Sequence, residues 1–264
     1  PSPTHPMSPP MSPSRRTFLV GFPAAFTLPV AFRPALALNG ESEPMPVTES
    51  RRSFSSGGRA IAVDVFEPGG QMRAPSVVML HGADGLGFNN RYRDGAREIA
   101  ASGFRVNLVH YLDRTGERRA SFATLFQNFL PWTETVRDAL AWVAERAEAE
   151  TAKVGLVGIS LGAALGLAVS GADPRIRALV SFFGPLPQGV IAPEARLPPT
   201  LVLHGAMDPV VPVANAYAIE SLLRQKDIPY EIKVYPGEGH GFRGQAREDA
   251  TRRVLAFLHR HLAA

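Results

Sequence analysis

The chain contains no cysteine among its 264 residues, which excludes disulfides, thiolate nucleophiles, iron–sulfur clusters and cysteine-based zinc sites. It also contains no uninterrupted run of 18 apolar residues, which argues against a bundle of membrane-spanning helices. An excess of one charge is nearly absent as well. Three of the 28 basic residues lie in the first 37 positions, which hold no acid, so the remaining chain has 25 basic against 24 acidic residues. A body so nearly neutral is not typical of a nucleic-acid-binding protein.

The N-terminal region has the three parts of an export signal. Residues 14–19 read SRRTFL, a short apolar segment follows over 20–32, and Ala35-Leu36-Ala37 is a small-x-small cleavage site. This arrangement resembles the bacterial twin-arginine signal, which implies export by the twin-arginine (Tat) translocase and a periplasmic or secreted location. The alternatives are a short membrane anchor or a chance arginine pair in a tail. We expect residues 1–37 to be a disordered tail and a signal peptide, with no stable membrane anchor after cleavage.

After residue 58, short apolar runs rich in β-branched residues alternate with helical patterns. The runs are continuously apolar, as in strands covered on both faces, and the alternation predicts an α/β fold with a mostly parallel sheet between two layers of helices. We therefore expect a linker over 38–58 and one domain over 59–264. The predicted strands lie at 59–66, 76–80, 104–110, 153–157, 178–183, 200–204 and 230–235, and the predicted helices at 91–102, 132–149, 161–171, 213–226 and 246–262.

A GxSxG motif follows the predicted strand at 153–157. It reads Gly158-Ile159-Ser160-Leu161-Gly162 and leads directly into a helix of small residues. A turn of this kind forces its central serine into a strained backbone conformation, and the flanking glycines let the strand and the helix approach each other. The motif therefore predicts Ser160 as an exposed nucleophile at the carboxyl edge of the sheet, where catalytic groups of such sheets lie.

A serine nucleophile needs a base, and the base needs an orienting acid, in the chain order serine, acid, histidine. Asp208 follows the predicted strand at 200–204, and His240 follows the one at 230–235. Asp208 could instead cap the helix that begins near Pro212, or pair with His204 as two metal ligands four residues apart. His240 could be an ordinary surface histidine. The triad accounts for both residues together, and it requires no metal.

An oxyanion hole needs two backbone N–H donors. Leu161, directly after the nucleophile, supplies one, and Ala83 in the loop after the strand at 76–80 is the candidate for the other. The glycines at 82, 85 and 87 make that loop look like a dinucleotide-binding turn, but their spacing is not GxGxxG and no acid ends the next strand. We therefore expect no cofactor.

The motif at 158–162, the segment 205–212 with Asp208, and Gly239-His240-Gly241-Phe242 together resemble the α/β-hydrolase superfamily. The short loops most resemble its dienelactone hydrolase branch, and the resemblance covers about residues 60–262. It implies an α/β-hydrolase fold, here with a minimal lid because the segment after 178–183 is short. Founding members of the branch have a cysteine nucleophile, so a serine here favours plain serine-esterase chemistry.

Dienelactone hydrolases also hold the carboxylate of their substrate with arginines. Arg114 and Arg243 lie near the corresponding places, although each could instead be an ordinary surface arginine in a chain that holds many. The long segment 111–130, which contains Phe122, Phe126 and Phe129, is predicted to be irregular and to form one wall of an open pocket.

The predicted function is that of an exported serine hydrolase that cleaves carboxylic esters or lactones through an acyl-enzyme. Its partners would be a small-molecule ester or lactone and, during export, the Tat translocase, but no nucleic acid. A serine peptidase or an acyl transferase could use the same triad. A non-catalytic binding protein on the same fold is a further alternative.

Overall fold

The computed structural model describes residues 45–70, 73–87, 90–146 and 153–262. The predicted tail and signal peptide lie outside these residues, so the twin-arginine signal, its cleavage and the resulting location stay predictions. None of the helices in the described ranges is long and apolar enough to cross a membrane.

The described residues form one mixed sheet with helices on both faces, as the sequence predicts. The strand order is β1-β2-β4-β3-β5-β6-β7-β8. The first two strand pairs in this order are antiparallel and the other pairs are parallel. The strands are β1 (Val47–Ser56), β2 (Arg59–Pro68), β3 (Ser76–Leu80), β4 (Arg105–Val109), β5 (Val154–Ile159), β6 (Ile176–Phe182), β7 (Thr200–Gly205) and β8 (Tyr230–Tyr235).

The helices are α1 (Arg91–Ala101), α2 (Phe122–Arg146), α3 (Leu161–Ser170), α4 (Ala214–Gln225) and α5 (Gly244–Leu262), with a short 3-10 helix at Tyr111–Arg114. One face of the sheet packs against α2, α3 and α4, and the other packs against α1 and α5. Strand residues alternate between the two cores. In β3, Val78 and Leu80 face the first core whereas Val77 and Met79 face the second. Both faces are therefore apolar, which explains the continuous hydrophobic runs in the sequence.

The predicted linker is wrong over residues 47–56, which form the edge strand β1 and pair with β2 along its whole length. Only Phe54 and Ser56 of this strand are buried, so its composition is polar and lacks the hydrophobic alternation of an ordinary strand. The two-residue turn Gly57-Gly58 connects β1 to β2, and both glycines have positive φ. This pair of glycines between two extended segments is the signal that would have predicted a hairpin.

The predicted irregular segment at 111–130 is also wrong in part, because α2 begins at Phe122 and passes through Pro131. Ser121 begins the helix by exchanging hydrogen bonds with Thr124: each backbone N–H donates to the side-chain oxygen of the other residue at 3.1 Å. Pro131 removes one helical hydrogen bond at the carbonyl of Gln127, which lies on the exposed side where water can replace it.

The predicted pocket wall gains no support from the aromatic side chains of α2. Phe126 is 72% exposed, and Phe129 packs against the core beneath the helix. The part of the prediction that concerns Phe122 lies outside the described side chains.

Candidate active site

Ser160 lies at the sharp turn between β5 and α3, at the carboxyl edge of the sheet. Its backbone has φ +54° and ψ −115°, a strained conformation for a residue with a side chain. The flanking glycines make this turn sterically accessible. A Cβ at Gly158 would lie 2.5 Å from Ala163 Cα, and a Cβ at Gly162 would lie 2.4 Å from Leu80 O. Larger residues at these two positions would push the helix away from the strands, so the motif determines the local backbone.

The side chains of Ser160, His240 and Asp208 form a continuous chain of hydrogen bonds. His240 Nε2 lies 3.0 Å from Ser160 Oγ, and His240 Nδ1 lies 2.7 Å from Asp208 Oδ2. An ionised carboxylate only accepts hydrogen bonds, so Nδ1 of the neutral imidazole carries the proton and Nε2 is free to accept the serine hydroxyl. Ser160 and Asp208 are 48 positions apart in sequence, and Asp208 and His240 are 32 positions apart. The fold therefore brings distant residues together at one edge of the sheet.

Asp208 is held by the backbone of its own loop. Its Oδ1 accepts hydrogen bonds from the N–H groups of Val210 (2.8 Å) and Val211 (2.9 Å). Burial alone would raise the pKa of this carboxyl, but the hydrogen bonds from His240, Val211 and Val210 outweigh burial and lower the pKa. The buried His204 supports the same loop, because its Nε2 donates to Val211 O at 2.8 Å. Asp208 is consequently an ionised, rigidly oriented acceptor for His240.

The Phe183 ring packs against the His240 imidazole and is itself backed by the Phe242 ring. The Phe183 ring lies 4.6 Å from the His240 ring and 5.5 Å from the Phe242 ring, centroid to centroid. Phe183 directly follows β6 and has φ +36°, which is unusual for a bulky residue. Its N–H donates to Leu203 O at 2.7 Å, and this bond helps to hold that conformation. The packing leaves the His240 side chain 21% exposed.

Two backbone amides near Ser160 make no hydrogen bond within the described part of the chain. These are the N–H groups of Leu161, at the first position of α3, and of Ala83, in the loop after β3. Gly82, in the same loop, lies close to the serine, since a Cβ built on it would be 3.5 Å from Ser160 Cβ. Buried or half-buried N–H groups are normally paired, so these two donors are available to a bound oxygen atom.

The loop that carries Ala83, which we call the oxyanion loop (residues 81–85), is held by the hydroxyl of Tyr92. Gly82 N–H donates to Tyr92 Oη at 3.0 Å, and Tyr92 Oη donates to Asp84 Oδ1 at 2.5 Å. Burial and the hydrogen bond to Asp84 raise the pKa of Tyr92 to about 12, so the hydroxyl keeps its proton at neutral pH. Arg91 pairs with the same carboxylate of Asp84. The tyrosine thus ties the start of the loop to its middle.

The other side of the oxyanion loop is fixed as well. Tyr111 Oη donates to His81 O at 2.9 Å, and Ala120 N–H donates to Ala83 O at 2.8 Å. His81 itself is buried, and burial lowers its pKa to about 4. It is therefore neutral, and its Nδ1 hydrogen-bonds Gly82 O at 2.7 Å. These hydrogen bonds hold the loop backbone at the carbonyl groups of His81, Gly82 and Ala83.

The two predicted substrate-binding arginines make no described contact with Ser160, Asp208 or His240. Arg114 pairs with Glu134 at 3.2 Å and lies against the β1–β2 turn, where a Cβ on Gly57 would overlap its guanidinium. Arg243 is exposed, and its backbone N–H donates to Glu238 Oε2 at 3.2 Å. Their role in substrate binding stays a prediction.

Sequence reasoning did not identify Tyr92 and Phe183, and it considered His204 only as a possible metal ligand together with Asp208. Tyr92 lies on α1 at a buried position of the helix, where a tyrosine looks like an ordinary core residue. Phe183 comes directly after a strand that ends at the catalytic edge, and this position is a usable signal. Among the described residues no cluster of histidine and acidic side chains has the arrangement of a metal site.

Comparison with known proteins gives a family match over most of the chain. The sequence model of the dienelactone hydrolase family matches residues 61–262. A carboxymethylenebutenolidase homolog of Xenopus tropicalis is 27% identical over 122 residues, which is 42% of this chain and 49% of that protein. The Mus musculus homolog is 30% identical over 107 residues, 40% of this chain and 43% of that protein. The chain thus spans about half the length of these two curated relatives.

Solved structures agree with the fold. The crystal structure of a dienelactone hydrolase from Anabaena variabilis superposes with a TM-score of 0.67 at 21% sequence identity. The superposition covers 82% of this chain and 99% of that one. At this identity the likeness concerns the architecture, an open α/β sheet flanked by helices.

Proposed function

Because the chain belongs to the dienelactone hydrolase family, we propose that it hydrolyses carboxylic esters or lactones with Ser160 as nucleophile, His240 as base and Asp208 as orienting acid. The observation that carries the proposal is the unbroken hydrogen-bond chain from Asp208 through His240 to Ser160. The N–H groups of Ala83 and Leu161, which have no partner among the described residues, give it further support. Ester or lactone hydrolysis is the activity that fits this set of groups together with the family.

In the acylation step, Ser160 Oγ attacks the carbonyl carbon of the substrate while its proton moves to His240 Nε2. Asp208 stabilises the resulting imidazolium through the bond to Nδ1. The carbonyl oxygen becomes an oxyanion and accepts hydrogen bonds from Ala83 N–H and Leu161 N–H. The positive end of the α3 dipole adds to this stabilisation, since Leu161 is the first residue of the helix. The tetrahedral intermediate then collapses, and His240 gives its proton to the leaving alkoxide.

In the deacylation step, water replaces the alcohol and attacks the acyl carbon. His240 takes one proton from this water and returns it to Ser160 Oγ when the second intermediate collapses to the carboxylic acid. For a lactone, the leaving alkoxide and the acid are parts of one open-chain product. The described residues between β6 and β7 contain no helix, so we infer an open site with room for such a product.

The test of this proposal is the reaction of the full chain with a fluorophosphonate, together with its turnover of matched esters and amides. We expect one covalent adduct on Ser160, detected by mass spectrometry, and loss of p-nitrophenyl ester hydrolysis in proportion to labelling. Hydrolysis of a p-nitroanilide with the same acyl group should be far slower, because an amine is a poorer leaving group than a phenolate. Labelling without any ester turnover would favour a binding protein, and efficient anilide cleavage would favour a peptidase.

Replacement of Tyr92 by phenylalanine tests the oxyanion loop. The change removes the hydroxyl that accepts from Gly82 N–H and donates to Asp84. Loss of one oxyanion donor costs about 10²-fold or more in kcat, so a donor that is merely loosened should cost about tenfold. Since the substrate carbonyl carries little charge before attack, KM should change much less than kcat.

Tyr217→Phe serves as the matched control, because Tyr217 is 52% exposed on α4 and should have parental kinetics. Thermal unfolding of both variants separates a catalytic effect from a loss of stability. If Tyr92→Phe had the parental kcat, the support of the oxyanion loop by the Tyr92 hydroxyl would have no part in catalysis. The proposal for the triad would not be affected.

A further inference from the structure

A cavity lies at the opposite edge of the sheet from Ser160. It has a volume of about 210 Å³, is partly open to solvent, and is lined by residues of β1, β2, β3, β4 and the end of α2. Ser76 and Arg105, which are the first residues of the parallel strands β3 and β4, line it. Ser160 follows the last residue of β5, which runs parallel to β3. The cavity is therefore at the amino edge of the sheet and outside the proposed active site.

The cavity is strongly basic. Arg52, Arg105 and Arg146 line it, together with the single acidic residue Glu67. Arg105 Nε bonds Glu67 Oε1 at 3.0 Å, which neutralises one guanidinium. Arg146 stacks over the Trp142 ring at 4.5 Å, and Arg52 has no hydrogen-bond or ion-pair partner in the described part of the chain. Two positive charges thus remain without an anion of the described chain.

Two nearly fully buried polar side chains also open onto this cavity. Ser76 and Asn107 are each 2% exposed. The Ser76 hydroxyl makes no hydrogen bond to any described residue, and the Asn107 amide makes one long contact, Nδ2 to Val77 O at 3.4 Å. The next residues on the same face, Val78 and Val109, belong to the apolar core. Because buried polar groups are normally hydrogen-bonded, Ser76 and Asn107 have donors to spare for an occupant.

We propose that this cavity binds a small oxyanion, a phosphate or a carboxylate group. Guanidinium groups bind both in a bidentate manner, and the Ser76 hydroxyl and the Asn107 amide can donate to the remaining oxygens. The cavity is several times larger than the about 30 Å³ that one water occupies in the liquid, so a polyatomic anion fits with some of its hydration. Trp142 forms the apolar wall beside it. This binding site is separate from ester hydrolysis and does not depend on it.

The experiment is calorimetric titration of the full chain with inorganic phosphate and with acetate, at an ionic strength held constant with chloride. We expect saturable binding of at least one of the two anions, and the tighter one identifies the preferred group. Trp142 provides a second readout, because the chain has only two tryptophans and the other, Trp132, is fully buried elsewhere in the core. The fluorescence change on binding should disappear in Trp142→Phe.

Arg52→Gln and Arg146→Gln test the two guanidiniums that have no acidic partner, and Arg177→Gln removes the same charge from an exposed position on β6. A charge-assisted hydrogen bond is strong enough that each of the first two variants should bind about tenfold more weakly or worse. Arg177→Gln should bind as the parent does. Two results would overturn the proposal: heats of binding no larger than those of a control titration with chloride, or the same affinity for the anion in the parent and all variants. Ester hydrolysis by Arg146→Gln should be parental, so the two proposals fail independently.

Discussion

Replacing Ser160 by alanine is expected to lower kcat for ester hydrolysis by about 10⁴- to 10⁶-fold, the loss that removal of a serine nucleophile causes in a triad enzyme. The oxyanion donors and the substrate pocket remain in this variant, but no group is left to form the acyl-enzyme. Among the described residues, the side chain of Ser160 hydrogen-bonds only to His240. Folding should therefore be unaffected, since alanine and serine meet the same backbone strain at φ +54°. Kinetics with a p-nitrophenyl ester and thermal unfolding provide the two measurements.

Ser181→Ala is the matched control for this variant. Ser181 is fully buried on β6, next to the nucleophile strand, and its hydroxyl has no partner among the described residues. Its removal should leave both kcat and stability close to parental values. Parental turnover by Ser160→Ala would show that another residue performs the reaction.

The second large effect is expected for Asp208→Asn, with a decrease in kcat of about 10⁴-fold. The amide can keep an oxygen towards Val210 N–H and Val211 N–H, which places its NH₂ group towards His240. His240 Nδ1 must then accept a hydrogen bond, so the ring proton moves to Nε2, the atom that should take the proton of Ser160. The imidazole is held in the wrong tautomer while the backbone of the loop is retained.

Asp227→Asn is a suitable comparison for Asp208→Asn, because Asp227 is exposed and has φ +53°, a conformation that asparagine also tolerates. It should have parental kinetics. If Asp208→Asn kept a substantial fraction of kcat, Asp208 would be a structural residue of its loop, and a different group would orient His240. Fluorophosphonate labelling should slow in parallel with kcat, since it depends on the same base.

The fold and the three triad candidates could be predicted because each rests on a local signal. Continuously apolar runs indicated strands covered on both faces, and GxSxG between a strand and a helix indicated the turn at Ser160. Asp208 and His240 each follow a strand, and carboxyl ends of parallel strands meet at one edge. The edge strand β1 was not predicted, because its residues are mostly polar. The early start of α2 was not predicted either, since Pro131 masked the hydrophobic pattern.

The sequence by itself determined the layered α/β architecture and pointed to the three candidate reactive groups, because periodicity and short motifs act through neighbouring residues. Only the tertiary structure decided how those groups are supported. Tyr92 reaches the oxyanion loop from α1, and Phe183 packs on His240 from the loop after β6. Arg52 and Arg146 share a cavity although 94 positions separate them. Such contacts depend on the distance and direction of side chains across the folded sheet, which no local pattern in the chain encodes.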